Sequence, residues 1–116
     1  MYASTKFARK FVSLIQYAEQ QGIKILCTSL WRSPEEQKEM FDAGTSKADG
    51  TTKLSMHQLG RAADIVTLDD TGKAQWDINW KYYKLGSYWK SIGGKWGHEW
   101  YETGKTSFDD IYHFEM

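Results

Sequence analysis

The chain has one cysteine, Cys27, and one proline, Pro34, among its 116 residues. A lone cysteine cannot close an intramolecular disulfide, so a disulfide-stapled scaffold is excluded. Cys27 sits in an apolar run and is expected to be a buried hydrophobe, not a nucleophile. An excess of charge of either sign is also missing, because fifteen Lys and Arg offset fifteen Asp and Glu. No long-range field therefore recommends nucleic acid or an anionic membrane as a partner. No apolar run is long enough to span a bilayer, and Lys6, Arg9, Lys10 and Glu19 interrupt the N-terminal segment, so no secretory signal is readable. The expectation is a soluble monomer made in the cytoplasm, without stable membrane association.

What is abundant is aromatic, with six Trp and seven Tyr. Such side chains suit a groove and, more simply, a compact core. A length of 116 residues fits one domain, 1–116, with a single modest core.

Taken in order, residues 4–21 place Phe7, Phe11, Leu14, Ile15 and Ala18 at helical spacing, with Ser4 as cap and Gly22 as terminator. Ile23 to Leu30 reads as a strand. Ser33, Pro34 and Glu36 form the signature of a capping box, and Gly44 closes the helix it starts. Arg32 is thereby placed at a strand-to-helix junction, where a guanidinium can fork onto a carboxylate or simply pair with Glu35 or Glu36. Gly44 to Lys53 reads as a loop, and Asp69 to Gly72 as a turn within a turn-rich stretch from Leu68 to Asn79. Trp80 to Ile92 carries Tyr82, Leu85, Trp89 and Ile92 as a helical core stripe that ends at Gly93-Gly94.

The chemistry is concentrated in two short runs. Ser55 to Asp64, SMHQLGRAAD, sets His57 and Asp64 seven positions apart with Gly60 between them, and an apolar, β-prone tail follows to Leu68. An aspartate in such a strand is costly to bury unless it is paired or bound to metal. Ser55, two residues before His57, shares its face if the chain is extended, or else is a turn hydroxyl. The second run, Asp109 to Glu115, carries His113. Strict alternation puts Ile111, His113 and Glu115 on one face and Asp110 on the other, so Asp110 is expected just before the strand or at a bulge. An imidazole pair and a carboxylate suit Zn²⁺, and three ligands with a fourth position open make the catalytic pattern. His98 competes with Asp64 as third ligand, which would use every histidine in the chain.

The string SxHxxGxAxD at Ser55, His57, Gly60, Ala62 and Asp64, followed by DxxHFE at Asp110, His113, Phe114 and Glu115, resembles the zinc peptidases of bacterial cell walls. These are the VanY-like D-alanyl-D-alanine carboxypeptidases and the L-alanyl-D-glutamate endopeptidases of phage endolysins, in a superfamily with lysostaphin and the hedgehog signalling domain. Thr28 to Gln37, TSLWRSPEEQ, is similar to the family block TSGYRSPEEQ, and WGHEW at Trp96 to Trp100 to the block WGGDW. Four blocks in the family's order cover residues 25–116. His98 in place of glycine and Glu99 in place of aspartate are departures.

The resemblance implies an α+β fold in which a small antiparallel sheet carries the zinc site and helices pack against it. It implies Zn²⁺ held by His57, Asp64 and His113, with Asp110 as catalytic carboxylate. Arg32 and Ser55 would contact substrate, Arg32 also the oxyanion, while Trp96, Glu99 and Trp100 would line the groove. Aspartate at position 110 is the endolysin-type choice, where carboxypeptidases tend to carry glutamate. The expected activity is hydrolysis of the peptidoglycan stem peptide at the L-alanyl-D-glutamate bond, after holin-type release to the wall. The alternatives are a D-alanyl-D-alanine carboxypeptidase and a non-catalytic zinc-bearing binding module.

Overall fold

The computed structural model describes residues 3–116, and side chains from residue 5 onward. The cap expected at Ser4 lies outside the described side chains. In chain order the elements are α1 (Ala3–Gln20), β1 (Ile25–Ser29), α2 (Pro34–Asp42), β2 (Ala62–Leu68), β3 (Ala74–Gln75), α3 (Trp80–Ser91), β4 (Lys95–Trp96), α4 (Gly97–Glu102) and β5 (His113–Glu115). The strands form one antiparallel sheet in the order β1-β2-β5-β4, with β3 added as a hairpin to β2. The α+β architecture expected from the sequence is the one observed.

Local signals explain most boundaries. Gly22, at φ 68°, ends the first helical segment in a left-handed conformation that costs glycine nothing. Ser33 caps α2 by accepting from the Glu36 amide, and the Glu36 carboxylate accepts in return from the Ser33 amide. The expected turn at Asp69 is tied by its Oδ1, which accepts from the Thr71 and Lys73 amides and turns β2 into β3. The short β3 itself lies inside the stretch expected to be turns. Asn79 caps α3, accepting from the Lys81 amide.

One face of the sheet is the core. Ala63 and Ile65 of β2 and Phe114 of β5 meet Phe7, Leu14 and Ala18 of α1 and Tyr82, Leu85 and Trp89 of α3. Tyr82, Leu85, Trp89 and Phe114 are each 0% exposed. Trp96 is part of this core, 3% exposed, stacked on Phe114 and donating its indole N–H to the Ile111 carbonyl. The expectation that Trp96 walls a groove is corrected for most of the ring: a short strand at the sheet edge turns it inward, where its N–H finds a partner, and only its margin reaches a surface cavity. Cys27 is corrected the other way. It is exposed on β1, the outer strand, most of whose side chains no helix covers. Its thiol pKa is raised, by desolvation first and by the nearby Asp64 charge, the opposite of an activated nucleophile.

Because Ala63 and Phe114 face the helices, their neighbours Asp64 and His113 must face the other way. The register pairs Asp64 directly with His113. Antiparallel pairing thus makes a carboxylate and an imidazole, 49 residues apart in sequence, cross-strand neighbours on the face away from the core.

Candidate metal centre

His57 reaches this face from a turn. The segment from Met56 to Gly60 is not extended: Ser55 Oγ and its carbonyl both accept from the Gln58 amide, and Gly60 follows at φ 68°. Ser55 is therefore a turn hydroxyl that also lines the cavity described below, and the shared-face argument from an extended chain does not apply. His57 is 4% exposed, and its Nδ1 lies 2.8 Å from the Leu30 carbonyl. A carbonyl only accepts, so Nδ1 carries a proton, and Nε2 is the nitrogen that faces Asp64 and would be free for a metal once unprotonated.

Three ligand atoms then converge. His57 Nε2 is 3.3 Å from Asp64 Oδ2, and His113 Nδ1 is 3.4 Å from Asp64 Oδ1. One ligand atom from each of the three residues lies within 4.8 Å of the others. Tetrahedral zinc with bonds of ~2.0–2.1 Å sets its ligand atoms ~3.3–3.4 Å apart, and each histidine nitrogen stands at about that spacing from one of the two Asp64 oxygens, a different oxygen for each. The set could hold a metal ion. His113 is also braced from behind, its Nε2 standing 2.8 Å from Glu115 Oε1.

Electrostatics matches the geometry. Burial alone would raise the Asp64 pKa, but hydrogen bonds from His113 and His57 and their charge outweigh it and hold the carboxyl well below the usual range. For His113, burial opposes the imidazolium, while Asp64, Glu115 and the charge of Asp110 overcome that and push its pKa up to about 9. Without metal, this is a cation between carboxylates; an ion at the same point would take over its role.

A cavity of about 270 Å³ opens above the cluster, lined among others by Arg32, Ser55, His57, Asp64, Asp110 and His113. Asp110 lies just before β5, as expected, and its carbonyl accepts from the His113 amide at 3.2 Å. Its pKa is raised, by burial first and by Asp64, against the pull of both histidines. Arg32 is not paired with Glu35 or Glu36. It is 8% exposed, with Nη1 donating to Gln37 Oε1 at 2.8 Å, Nη2 donating to Ser29 Oγ at 3.3 Å, and Nη2 3.8 Å from Asp64 Oδ2.

The remaining candidates scatter. Trp100 tilts over His113 with ring centroids 5.6 Å apart. Glu99 pairs with Lys90 at 3.2 Å and borders, with Trp100, a separate cavity of about 340 Å³ beyond it. His98 is not part of the cluster: its Nδ1 meets Asp109 at 2.7 Å and its Nε2 meets Glu102 at 3.0 Å. Carboxylates on opposite ring nitrogens cannot share one ion with it, so a three-histidine site is not formed.

Two supporting residues had no signal that single-chain reading could use. Gln37, 0% exposed, joins Arg32 to the following loop by donating to Ser46 Oγ and the Ala48 carbonyl, both at 2.7 Å. Glu115 shares the strand face of His113, which alternation does show, but nothing in that pattern distinguishes a brace from a solvated carboxylate.

Comparison with known proteins decides the lineage. A family model described as D-alanyl-D-alanine carboxypeptidase, of the peptidase M15 group, matches residues 49–116, a span that contains His57, Asp64, Asp110 and His113. The chain belongs to the peptidase M15 family. Among curated relatives, the peptidoglycan L-alanyl-D-glutamate endopeptidase CwlK of Bacillus subtilis is 29% identical over 112 residues, covering 85% of this chain and 64% of the relative. The L-alanyl-D-glutamate peptidase of Listeria phage A118 is 30% identical over 103 residues, covering 84% of this chain and 33% of the relative. The chain thus spans under two thirds of either. The same M15 fold is seen in the L-Ala D-Glu endopeptidase ChiX of Serratia marcescens, with a TM-score of 0.72 at 24% identity over 97% of this chain and 78% of that one. Among the described residues, no helix is long and apolar enough to cross a membrane.

Proposed function

We propose that this M15 peptidase is a zinc endopeptidase that hydrolyses the L-alanyl-D-glutamate bond of the peptidoglycan stem peptide, and that residues 1–116 form its catalytic domain. The observation that carries the reading is the convergence of His57 Nε2, Asp64 and His113 Nδ1 under a cavity that Asp110 and Arg32 also line. Two relatives named for that bond support the choice of substrate, and Asp110 agrees with it.

His57, Asp64 and His113 would hold the ion; neutral imidazoles and a carboxylate are a fitting donor set for zinc. Bound there, zinc supplies Lewis acidity and lowers the pKa of a water from ~15.7 toward ~7. The work of the chain's own residues follows from their placement. The Asp110 carboxylate, its pKa raised by burial, takes the proton of the attacking water and delivers it to the leaving amine of D-glutamate. Arg32, held in a fork by Gln37 and Ser29, places its guanidinium where charge develops on the scissile carbonyl oxygen. Ser55 and the rim of the cavity orient the stem peptide. The protein acts at the cell wall after holin-type release.

The test is mass spectrometry of purified peptidoglycan incubated with zinc-loaded protein, with Asp110→Ala and chelated protein as controls. Fragments bearing a free amino group on D-glutamate, absent from both controls, are expected. Loss of terminal D-alanine alone would move the assignment to the carboxypeptidase activity for which the family model is described. An unaltered wall with zinc bound would leave a binding module.

A further inference from the structure

Two adjacent carboxylates, Asp109 and Asp110, precede the last metal-site histidine, and only Asp110 lines the cavity. What separates them lies in the segment from Trp96 to Trp100. His98, 5% exposed, holds Asp109 Oδ1 at 2.7 Å from its Nδ1. The ring is itself fixed, with Tyr83 edge-on at 5.4 Å and Trp96 tilted against it at 4.8 Å. One residue earlier, Gly97 lies so close to the Asp110 backbone that an added Cβ would stand 2.3 Å from the Asp110 carbonyl oxygen. That carbonyl accepts from the His113 amide at 3.2 Å. Residues 97–98 and 109–110 therefore pack as two strips in direct contact, next to the metal-site strand.

We propose that His98 is a positioning residue: its grip on Asp109 fixes the 109–110 backbone so that Asp110, and not its neighbour, faces His57, Asp64 and His113. The inference rests on the reading of Asp110 as the proton carrier. Successive residues of an open chain point to different sides, so anchoring Asp109 toward His98 commits Asp110 to the cavity. A short, part-buried, charge-assisted hydrogen bond is strong enough to impose that choice. His98 itself touches neither the cavity nor the ligand cluster.

The experiment compares His98→Ala, Asp109→Ala, their double variant, His98→Asn and Glu102→Ala with the wild type, all zinc-loaded. Turnover of a stem peptide, zinc affinity by chelator competition and amide hydrogen exchange are read on each. A base displaced by ~1 Å costs on the order of 10²-fold, so His98→Ala and Asp109→Ala should each lower kcat by about 10- to 100-fold. KM and zinc affinity should stay within about twofold, because His57 and Asp64 are on other segments and His113 is held in the sheet by its pairing with Asp64. The double variant should be no worse than either single one. His98→Asn, whose amide N–H can replace Nδ1–H toward Asp109, should recover most of the rate. Glu102→Ala removes the exposed partner on the opposite ring nitrogen and should stay within about twofold of wild type.

A kcat within about twofold of wild type in both single variants overturns the clamp, as does additivity in the double variant or a parallel loss of zinc. A wild type that cleaves no wall fragment sinks the proposed activity instead, and hydrogen exchange then decides alone. Faster exchange at 109–113 in both single variants, with 62–68 unchanged, supports the clamp, and unchanged exchange overturns it.

Discussion

Glu115 Oε1 stands 2.8 Å from His113 Nε2, two residues further along the same face of β5, and this contact decides which nitrogen of His113 would be free for a metal. A carboxylate only accepts, so Nε2 keeps its proton and Nδ1 is left facing Asp64. Glu115 is 8% exposed, while Trp89 ties down its backbone by donating to its carbonyl at 2.8 Å. Its side chain can therefore be altered without cutting that anchor. Glu115→Leu should weaken zinc binding by about 10- to 100-fold. Glu115→Gln keeps an accepting oxygen and should lose much less. Chelator competition measures both, and equal affinities for the two variants would show that Glu115 does not orient His113.

The same pair sets a pH dependence. In metal-free protein the His113 pKa is raised from 6.5 to about 9. The stability this contributes, on the order of 3 kcal/mol, is fully present below pH ~6.5 and is lost as pH rises through ~9. Asp64 is lowered instead, so its contribution is present above pH ~4 and is lost as the solution becomes more acidic. Zinc held by His113 Nδ1 would have to displace its proton, so zinc affinity should rise with pH up to about 9, with protons released on binding. Urea unfolding with and without chelator at three pH values checks this. Chelated protein that is as stable at pH ~9 as at pH ~6 would remove His113 from the account.

Arg32 and Gln37 make a third prediction. The guanidinium donates at once to Gln37 and Ser29, a geometry that one ammonium group cannot reproduce. Arg32→Lys should therefore lower kcat/KM by about 10- to 100-fold while zinc stays bound. Gln37→Met fills similar volume but removes both the brace on Arg32 and the ties to Ser46 and Ala48. It should cost about 1–3 kcal/mol, because it leaves buried groups without partners. It should also lower kcat/KM in the direction of Arg32→Lys. Stem-peptide kinetics beside thermal melts separate the two effects.

What could be read in the sequence was whatever is local or carried by block order. The capping box at Ser33, the glycine stop at Gly22, the stripe Tyr82-Leu85-Trp89 and the position of Asp110 just before its strand all follow from spacing within one segment. That His57, Asp64 and His113 come together was legible because four blocks recur in order, a signal no single histidine carries. Contacts between segments were not legible. Cys27 stands in an apolar run yet falls on an outer strand, because strand order is not written in the run itself. His98 has the chemistry of a ligand, and only the approach of Asp109 turns it to another use. Ser55 sits in a turn that its own hydroxyl helps to make, which alternation cannot anticipate.

Trp96 and Trp100, four residues apart, look interchangeable in sequence and have opposite roles in the fold. Trp96 is core, and it leaves no room at Gly86, where an added Cβ would stand 2.2 Å from its ring. Trp96→Ala should cost about 3–5 kcal/mol, as deletions of a buried large aromatic do. Gly86→Ala should also destabilise, by about 1–3 kcal/mol, through overpacking. Because both act on the same space, the double variant should be no less stable than Trp96→Ala alone, since the alanine methyl enters the vacated volume. Trp100 is half-buried and lies against His113, so Trp100→Ala should change zinc affinity or KM more than the melting temperature. Denaturant unfolding of the four variants beside wild type measures the coupling. Strict additivity of Gly86→Ala and Trp96→Ala would mean that the Trp96 ring does not occupy the space against Gly86, and that the groove-wall role is open to it again.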